Sequence, residues 1–292
     1  MPFPETLNKK PKVIFFTDFD GTITLQDTND YITDHHGFGA EQRQAGNQRI
    51  LDGTLSFSHM FQKMIDSWQV SLTEMISILE KNIKLDPHFR NFVLWAKEHD
   101  VPIIVLSSGM VPVIAALLKK LLGEDLMKDI EIVANETQLV APGNSLDKQG
   151  GWNIKFHDGS AFGHDKSLTI RPYADAINEM ETDSEKPTLL YAGDGVSDLS
   201  AARETDLLFA KAGHDLIIYC EREGIPFTTF EDWSSILDET KKIWSGERSV
   251  RHVAEEGLKR HRTNSSTQPR PAAGTFNRKK SLSQEQRPAI EE

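Results

Sequence analysis

Two aspartates one residue apart, Asp18 and Asp20 in FFTDFDGTIT, follow the short apolar run Val13–Phe16. If that run is a strand, residues two apart share a side, and both carboxylates face one mouth. One can attack phosphorus while the other protonates a leaving group and then activates water. Phosphate monoesters resist hydrolysis so strongly that catalysts accelerate it by as much as ~10²¹-fold. A catalyst of that size combines alignment, a metal and charge neutralisation. Gly21 permits a tight turn after the pair, and the Thr22 hydroxyl can fix that loop. Taken alone, the segment is also an ordinary Asp-Gly turn closing a strand.

Three further motifs sit in similar places. Ser107, Ser108 and Gly109 follow Ile103–Leu106. A hydroxyl and the succeeding backbone amides can hold a phosphoryl oxygen without adding charge. By itself, Ser-Ser-Gly after a strand is a turn or a helix cap. Lys166 in GHDKSLTI can neutralise both nucleophile and phosphoryl group, although a lone lysine is ordinarily a surface residue. Asp194 and Asp198 in GDGVSD follow Thr188–Ala192, and they suit a hard divalent cation. Mg²⁺ takes one or two carboxylates and completes its octahedron with water and substrate phosphate. An acidic helix N-cap is the simpler reading of that stretch in isolation. The four motifs in this order, each at a strand end, make separate coincidences implausible.

The elements that must position them follow from hydrophobic pattern. Val13–Phe16, Ile103–Leu106, Thr188–Ala192 and Leu207–Ala210 read as buried parallel strands, each ending in a polar or glycine-rich turn. Leu94–Glu98, Val111–Leu122, Ala174–Glu181 and Leu199–Glu204 have helical spacing. This alternation predicts an α/β fold, a Rossmann-like open parallel sheet covered on both faces, with ligands at the carboxyl ends of the strands. The stretch from Asp27 to Pro87 is too long for a plain crossover. Helical patterns over Glu41–Leu51, Ser58–Trp68 and Leu72–Lys81 make it a small helical cap inserted after the first strand. Residues 131–162 read as short strands and loops. The resulting division is a core of residues 1–26 and 88–246, a cap of 27–87, and a polar, disordered tail of 247–292.

Composition narrows the class. The chain has 292 residues, 38% hydrophobic and 26% charged, as in soluble globular proteins. No apolar run reaches the roughly 20 residues that span a bilayer, and MPFPETLNKKPK lacks a secretory apolar stretch. The single cysteine, Cys220, forms no internal disulfide and suits a reducing, cytoplasmic compartment, with the nucleus also accessible. The net charge is −11; from Arg248 onward the chain is basic, by about +5, so the remainder is acidic. An acidic body argues against nucleic acid as a partner.

The set DFDGT, SSG, Lys166 and GDGVSD resembles the four signature motifs of haloacid dehalogenase superfamily phosphatases. The cap placement and SSGM resemble the phosphoserine-phosphatase-like branch, which includes fungal polyol phosphatases and methionine-salvage diketo-sugar phosphatases. The resemblance covers residues 12–245. It implies Asp18 as nucleophile, Asp20 as general acid/base, and Ser107, Ser108 and Gly109 as phosphate cradle. It implies Lys166 as charge bridge, with Mg²⁺ held by Asp18, the Asp20 backbone carbonyl and Asp194, supported by Asp198. The carboxylate of Asp20 disfavours dehalogenase chemistry, because those relatives lack it.

Substrate positions depart from phosphoserine phosphatases. Their Glu nine residues after the nucleophile becomes Asp27, read here as substrate-binding. Aligning Gly53, Leu55 and Phe57 places their cap Arg at Met64. Arg43 and Arg49 could substitute but read as a solvated helix face; His35, His36 and Trp68 read as surface histidines and a packed indole. Asn135 and Glu136 are candidates to face substrate. The expected activity is Mg²⁺-dependent hydrolysis of a small sugar or polyol phosphate. Phosphoserine or phosphocholine hydrolysis is the enzymatic alternative, and a catalytically silent phosphometabolite-binding scaffold is the alternative of another class. A tail partner is left unidentified.

Overall fold

The computed structural model describes residues 4–182, 186–214 and 216–267. Its centre is a seven-stranded sheet: β1 (Val13–Thr17), β2 (Ile103–Met110), β3 (Ile130–Leu139), β4 (Trp152–Lys155), β5 (Thr188–Gly193), β6 (Leu207–Lys211) and β7 (Phe227–Phe230). The spatial order is β4-β3-β2-β1-β5-β6-β7, and every pair is parallel except β3–β4. The strands that carry DFDG, SSG and GDGVSD are therefore β1 and its neighbours on either side, β2 and β5.

Strand alternation sorts β1 into two cores. Val13 and Phe15 point to one face, among Phe92, Phe209 and Trp233; Ile14 and Phe16 point to the other, among Ile170, Tyr173 and Tyr191. On the first face lie α5 (Phe89–Glu98), α6 (Val111–Leu122) and α11 (Trp233–Ser245). On the second lie α8 (Ser167–Asn178), α9 (Leu199–Ala202) and α10 (Leu216–Glu223). Trp233 is fully buried among Phe15, Phe89 and Phe92, and its indole N–H donates to the Thr22 carbonyl at 2.8 Å. One aromatic cluster thus supports the sheet and holds the loop after β1.

The segment expected to form a cap holds four helices: α1 (Thr28–His36), α2 (Ala40–Leu51), α3 (Phe57–Ser67) and α4 (Leu72–Asn82). Asp27 and Ser56 cap α1 and α3, and Ser71 with Glu74 forms a capping box on α4. The two chain segments joining cap to core run side by side, with the Leu25 N–H donating to the Lys84 carbonyl at 2.9 Å. Trp68 and Met64 lie in the cap's apolar core, and the Trp68 indole donates to Thr33 Oγ1 at 3.0 Å.

The expectation that residues from 247 onward form a disordered tail is corrected over the first part of that range. Residues Val250–Thr267 form α12, which packs on β7. Val253 is fully buried, and Gly257 sits so close that a Cβ there would lie 2.6 Å from Thr228 Cα. Val250, Val253, Ala254, Gly257 and Leu258 recur at helical spacing, a signal diluted by the small side chains among them. Residues 268–292 of the expected tail lie outside the described residues. A chain ending at residue 249 is expected to melt roughly 5–10 °C lower than one ending at 267, because it loses that packed face. Equal melting temperatures for the two would show that α12 contributes nothing.

Candidate active site

The ends of β1, β2 and β5 converge with the start of α8, so Lys166 comes from a helix start rather than from the expected strand end. Asp18 directly follows β1, and its N–H donates to the Ala192 carbonyl of β5 at 2.8 Å. Lys166 begins α8 and is 1% exposed. Its ammonium donates to Asp18 Oδ1 at 2.8 Å, Asp198 Oδ1 at 2.6 Å and the Tyr191 hydroxyl at 3.1 Å. Two carboxylates around it hold the lysine well above its usual range despite burial, so it is charged.

Asp198 is fully buried and every lone-pair direction has a donor. Oδ1 takes Lys166 and the Tyr191 hydroxyl, and Oδ2 takes the N–H groups of Asp194 and Gly195 at 3.0 Å each. Its geometry orients the lysine and shapes the 194–198 turn. One oxygen from each of Asp18, Asp194 and Asp198 lies within 4.8 Å of the others. With Asp198 so engaged, Asp18 and Asp194 have the capacity left for a cation. All donors there are oxygens, which suits a hard ion.

Charge balance gives the same indication. Asp18, Asp194 and Asp198 crowd together, and the Lys166 ammonium pairs directly with only two of them, Asp18 and Asp198. Burial, offset in part by Lys166, pushes Asp18 up to about 7, and burial with the Asp18 charge pushes Asp194 up to about 8. A divalent cation would relieve that repulsion and return both to the carboxylate form. Gly21 has φ +73°, and a Cβ on it would lie 2.3 Å from Asp194 Oδ2. Both the turn and the close approach demand glycine.

Asp20 sits beside Asp18 with its carboxylate held by the start of α1. The Thr28 N–H donates to Oδ1 at 2.8 Å and the Asn29 amide to Oδ2 at 3.3 Å. Burial and the neighbouring Asp27 raise Asp20 well above the usual carboxylate range. Nothing in the sequence singles out Asn29; its place in the first turn of a capped helix is the available signal.

The Ser107–Gly109 segment is the bulged end of β2 rather than a turn, and it runs straight into α6. Ser107 is buried, with Oγ accepting from the Gly109 N–H at 3.0 Å. A Cβ on Gly109 would stand 3.2 Å from Ser107 Oγ and 3.3 Å from Asp20 Oδ2, in the space between those two side chains. Ser108 Oγ is buried and has no protein partner.

Several expectations need amendment. The Thr22 hydroxyl makes no hydrogen bond; the loop is fixed by its carbonyl and by Thr24 Oγ1, which accepts from the Gly21 N–H. Lys211, unremarked in the sequence, also donates to the Gly21 carbonyl. Asp27 serves as N-cap of α1, accepting from the Asp30 N–H at 2.8 Å, so its carboxylate is partly committed to the backbone. Asn135 is fully buried and bonded on both sides, and Glu136 is exposed on β3. Arg43 is no solvated face: it grips Asp34 through two nitrogens at 2.7 and 2.8 Å and Asp30 at 2.6 Å. Arg49 and His35 are exposed.

Met64 is 6% exposed among Phe61, Ile65 and Trp68. Met64→Arg would put a guanidinium into an apolar core. That variant is expected to lose about 3 kcal/mol or more in denaturant unfolding. Wild-type stability would contradict this placement.

Residues 15–203 match the family model of haloacid dehalogenase-like hydrolases. The chain belongs to that family. It is 45% identical over 245 residues to polyol phosphate phosphatase PYP1 of Saccharomyces cerevisiae, covering 84% of this chain and 99% of that protein. It is 49% identical over 236 residues to Pdp3-interacting factor 1 of Schizosaccharomyces pombe, covering 81% and 98%. Against the 2-hydroxy-3-keto-5-methylthiopentenyl-1-phosphate phosphatase of Bacillus cytotoxicus it is 26% identical, covering 78% and 95%. In fold it is similar to a phospho-aspartyl intermediate analogue of phosphoserine phosphatase, with a TM-score of 0.56 and 18% identity over 78% of this chain and 99% of that one. These likenesses agree with the expected branch and with the α/β fold.

Proposed function

We propose that this hydrolase is a Mg²⁺-dependent phosphatase that cleaves small sugar or polyol phosphates through a phospho-aspartate on Asp18. It is a phosphoric monoester hydrolase. The observation that carries the reading is the buried Asp18–Lys166–Asp198 chain beside a protonatable Asp20. Binding alone would need no second aspartate tuned as an acid, which disfavours a silent scaffold.

Asp18 and Asp194 would hold Mg²⁺, with the Asp20 backbone carbonyl, and the ion would screen the phosphoryl charge from the nucleophile. Lys166 grips Asp18 Oδ1, so Oδ2 is the attacking oxygen. As the Oδ2–P bond forms and the ester P–O bond breaks, the Asp20 carboxyl gives its proton to the departing alkoxide. The resulting Asp20 carboxylate then takes a proton from water, whose oxygen attacks phosphorus and displaces Asp18. A carboxyl with raised proton affinity suits the first step, and its ionised form suits the second. Ser107 and Ser108 hydroxyls and the cradle backbone would bind the phosphoryl oxygens.

The cap supports an uncharged organic part. Asp27, Asp30 and Asp34 cluster around Arg43, whose guanidinium is committed to Asp30 and Asp34, and Asp20 neighbours Asp27. Among the described residues there, a substrate carboxylate would meet acid side chains and an arginine already committed to Asp30 and Asp34, at a cost of several kcal/mol if unpaired. Polyol hydroxyls can instead donate to those carboxylates. Glycerol or longer polyol phosphates are expected to exceed phosphoserine by at least about tenfold in kcat/KM. Phosphocholine, whose organic part carries a quaternary ammonium, escapes the repulsion and belongs in the same panel. Preference for phosphoserine would overturn this reading; preference for phosphocholine would favour the second one.

No helix among the described residues is long and apolar enough to cross a membrane. Cys220 is buried, and burial pushes its thiol up to about 12, which keeps it inert and suits a reducing cytoplasm.

A further inference from the structure

Two buried polar side chains beside the site have no task in the chemistry above. Asn135, on β3, is fully buried, and His164, in the segment leading to α8, is 1% exposed. Each is bonded to a different carbonyl of the cradle. Asn135 Nδ2 donates to the Ser108 carbonyl at 2.6 Å, and His164 Nδ1 meets the Ser107 carbonyl at 2.9 Å. A carbonyl only accepts, so Nδ1 bears the ring proton. Asn135 Oδ1 accepts from the His157 N–H at 2.8 Å, which fixes the amide's orientation.

Peptide planarity turns these contacts into control of the cradle. In a trans peptide the N–H points opposite to the preceding carbonyl. Holding the Ser108 carbonyl therefore aims the Gly109 N–H, which donates to Ser107 Oγ at 3.0 Å. With Oγ accepting there, the Ser107 hydroxyl proton is left for an anion. Holding the Ser107 carbonyl likewise turns the Ser108 N–H away from His164. The same two residues join the cradle to the 157–166 segment that delivers Lys166.

We propose that Asn135 and His164 are positioning residues that set the two peptide planes of the phosphate cradle and register it against Lys166. This deepens the phosphatase reading and rests on it. The test is competitive inhibition by inorganic phosphate with Mg²⁺ present, alongside KM and kcat. Asn135→Asp keeps the shape and the acceptor for His157 but replaces the donor to Ser108; His164→Leu removes the donor to Ser107. Both are expected to raise the phosphate Ki and KM by about tenfold or more, with a smaller change in kcat. His164→Asn, which can return an N–H to that carbonyl, should keep Ki within about threefold of wild type. Wild-type Ki in Asn135→Asp or His164→Leu would overturn the proposal, as would His164→Asn behaving like His164→Leu. If the variants do not fold, amide NMR of the wild-type protein decides. The Gly109 backbone N–H and the Asn135 side-chain amide resonances should both move on saturation with Mg²⁺ and inorganic phosphate. Neither moving at saturation would overturn the positioning role while leaving turnover, and hence the phosphatase reading, intact. A wild-type protein that hydrolyses no ester and binds no phosphate would remove both.

Discussion

Asp18→Asn is expected to fold and to lose turnover by about 10⁵-fold or more, to the level of the uncatalysed background. The amide occupies the same space beside Lys166 but has no charge with which to attack phosphorus. Lys166 loses one of its two anionic partners and keeps Asp198 and Tyr191, so the buried ammonium is still paired. The companion change at Asp20 depends on the leaving group. Asp20→Asn should slow alkyl phosphates by about 10²–10⁴-fold, because an alkoxide leaves poorly without a proton. A nitrophenyl ester, whose leaving group needs no proton, should still phosphorylate Asp18 and then stall at hydrolysis. Melting temperature and steady-state turnover check the first variant, and substantial residual turnover in a folded Asp18→Asn protein would contradict the covalent route. Equal slowing of the phosphorylation step for both ester types in Asp20→Asn, measured as first-turnover release of the leaving group, would contradict its role as the acid.

Removing the metal should be comparably severe. Chelation is expected to abolish turnover and Mg²⁺ to restore it. Ca²⁺ should restore little, because its larger and looser coordination misplaces nucleophile and phosphate. Asp194→Asn should demand about tenfold or more Mg²⁺ for half-maximal activity. The raised carboxylates give this a pH signature. Without metal, Asp18 and Asp194 titrate near 7 and 8, far above their unfolded values. A raised carboxylate stabilises the metal-free fold at low pH, and that contribution is lost as pH rises from about 4 through 7 and 8. Mg²⁺ must displace those protons, so its affinity should rise between about pH 6 and 8, with proton release on binding. Calorimetry in buffers of different ionisation enthalpy measures both quantities. Full activity in chelator, or pH-independent affinity, would contradict the assignment.

What sequence made legible was whatever repeats a local rule. Short apolar runs ending in DFDG, SSG and GDGVSD place strands and their polar ends together, because a buried parallel strand must finish before polar residues begin. Roles that depend on who faces whom were harder. Met64 and Arg43 look interchangeable with pocket residues on a helical wheel. Only packing shows one in an apolar core and the other clasped by Asp30 and Asp34. Asn135 was read toward substrate, yet its amide is used holding Ser108 and His157. α12 escaped because Gly257 and Ala254 form part of its packed face, and small residues carry little hydrophobic signal. Asn29 and Lys211 act on backbone or carboxylate partners that no local pattern announces.

The phospho-aspartate is most directly tested by trapping it. Asp20→Asn protein is mixed with Mg²⁺ and a nitrophenyl phosphate, quenched in acid within the first turnover, and digested for mass spectrometry. The expected result is one phosphoryl group per chain, on the peptide containing Asp18 and localised to that residue. It should be absent from an Asp18→Asn/Asp20→Asn double variant. Release of nitrophenol with no phosphorylated peptide, or a phosphoryl group on any other residue, would contradict covalent catalysis by Asp18.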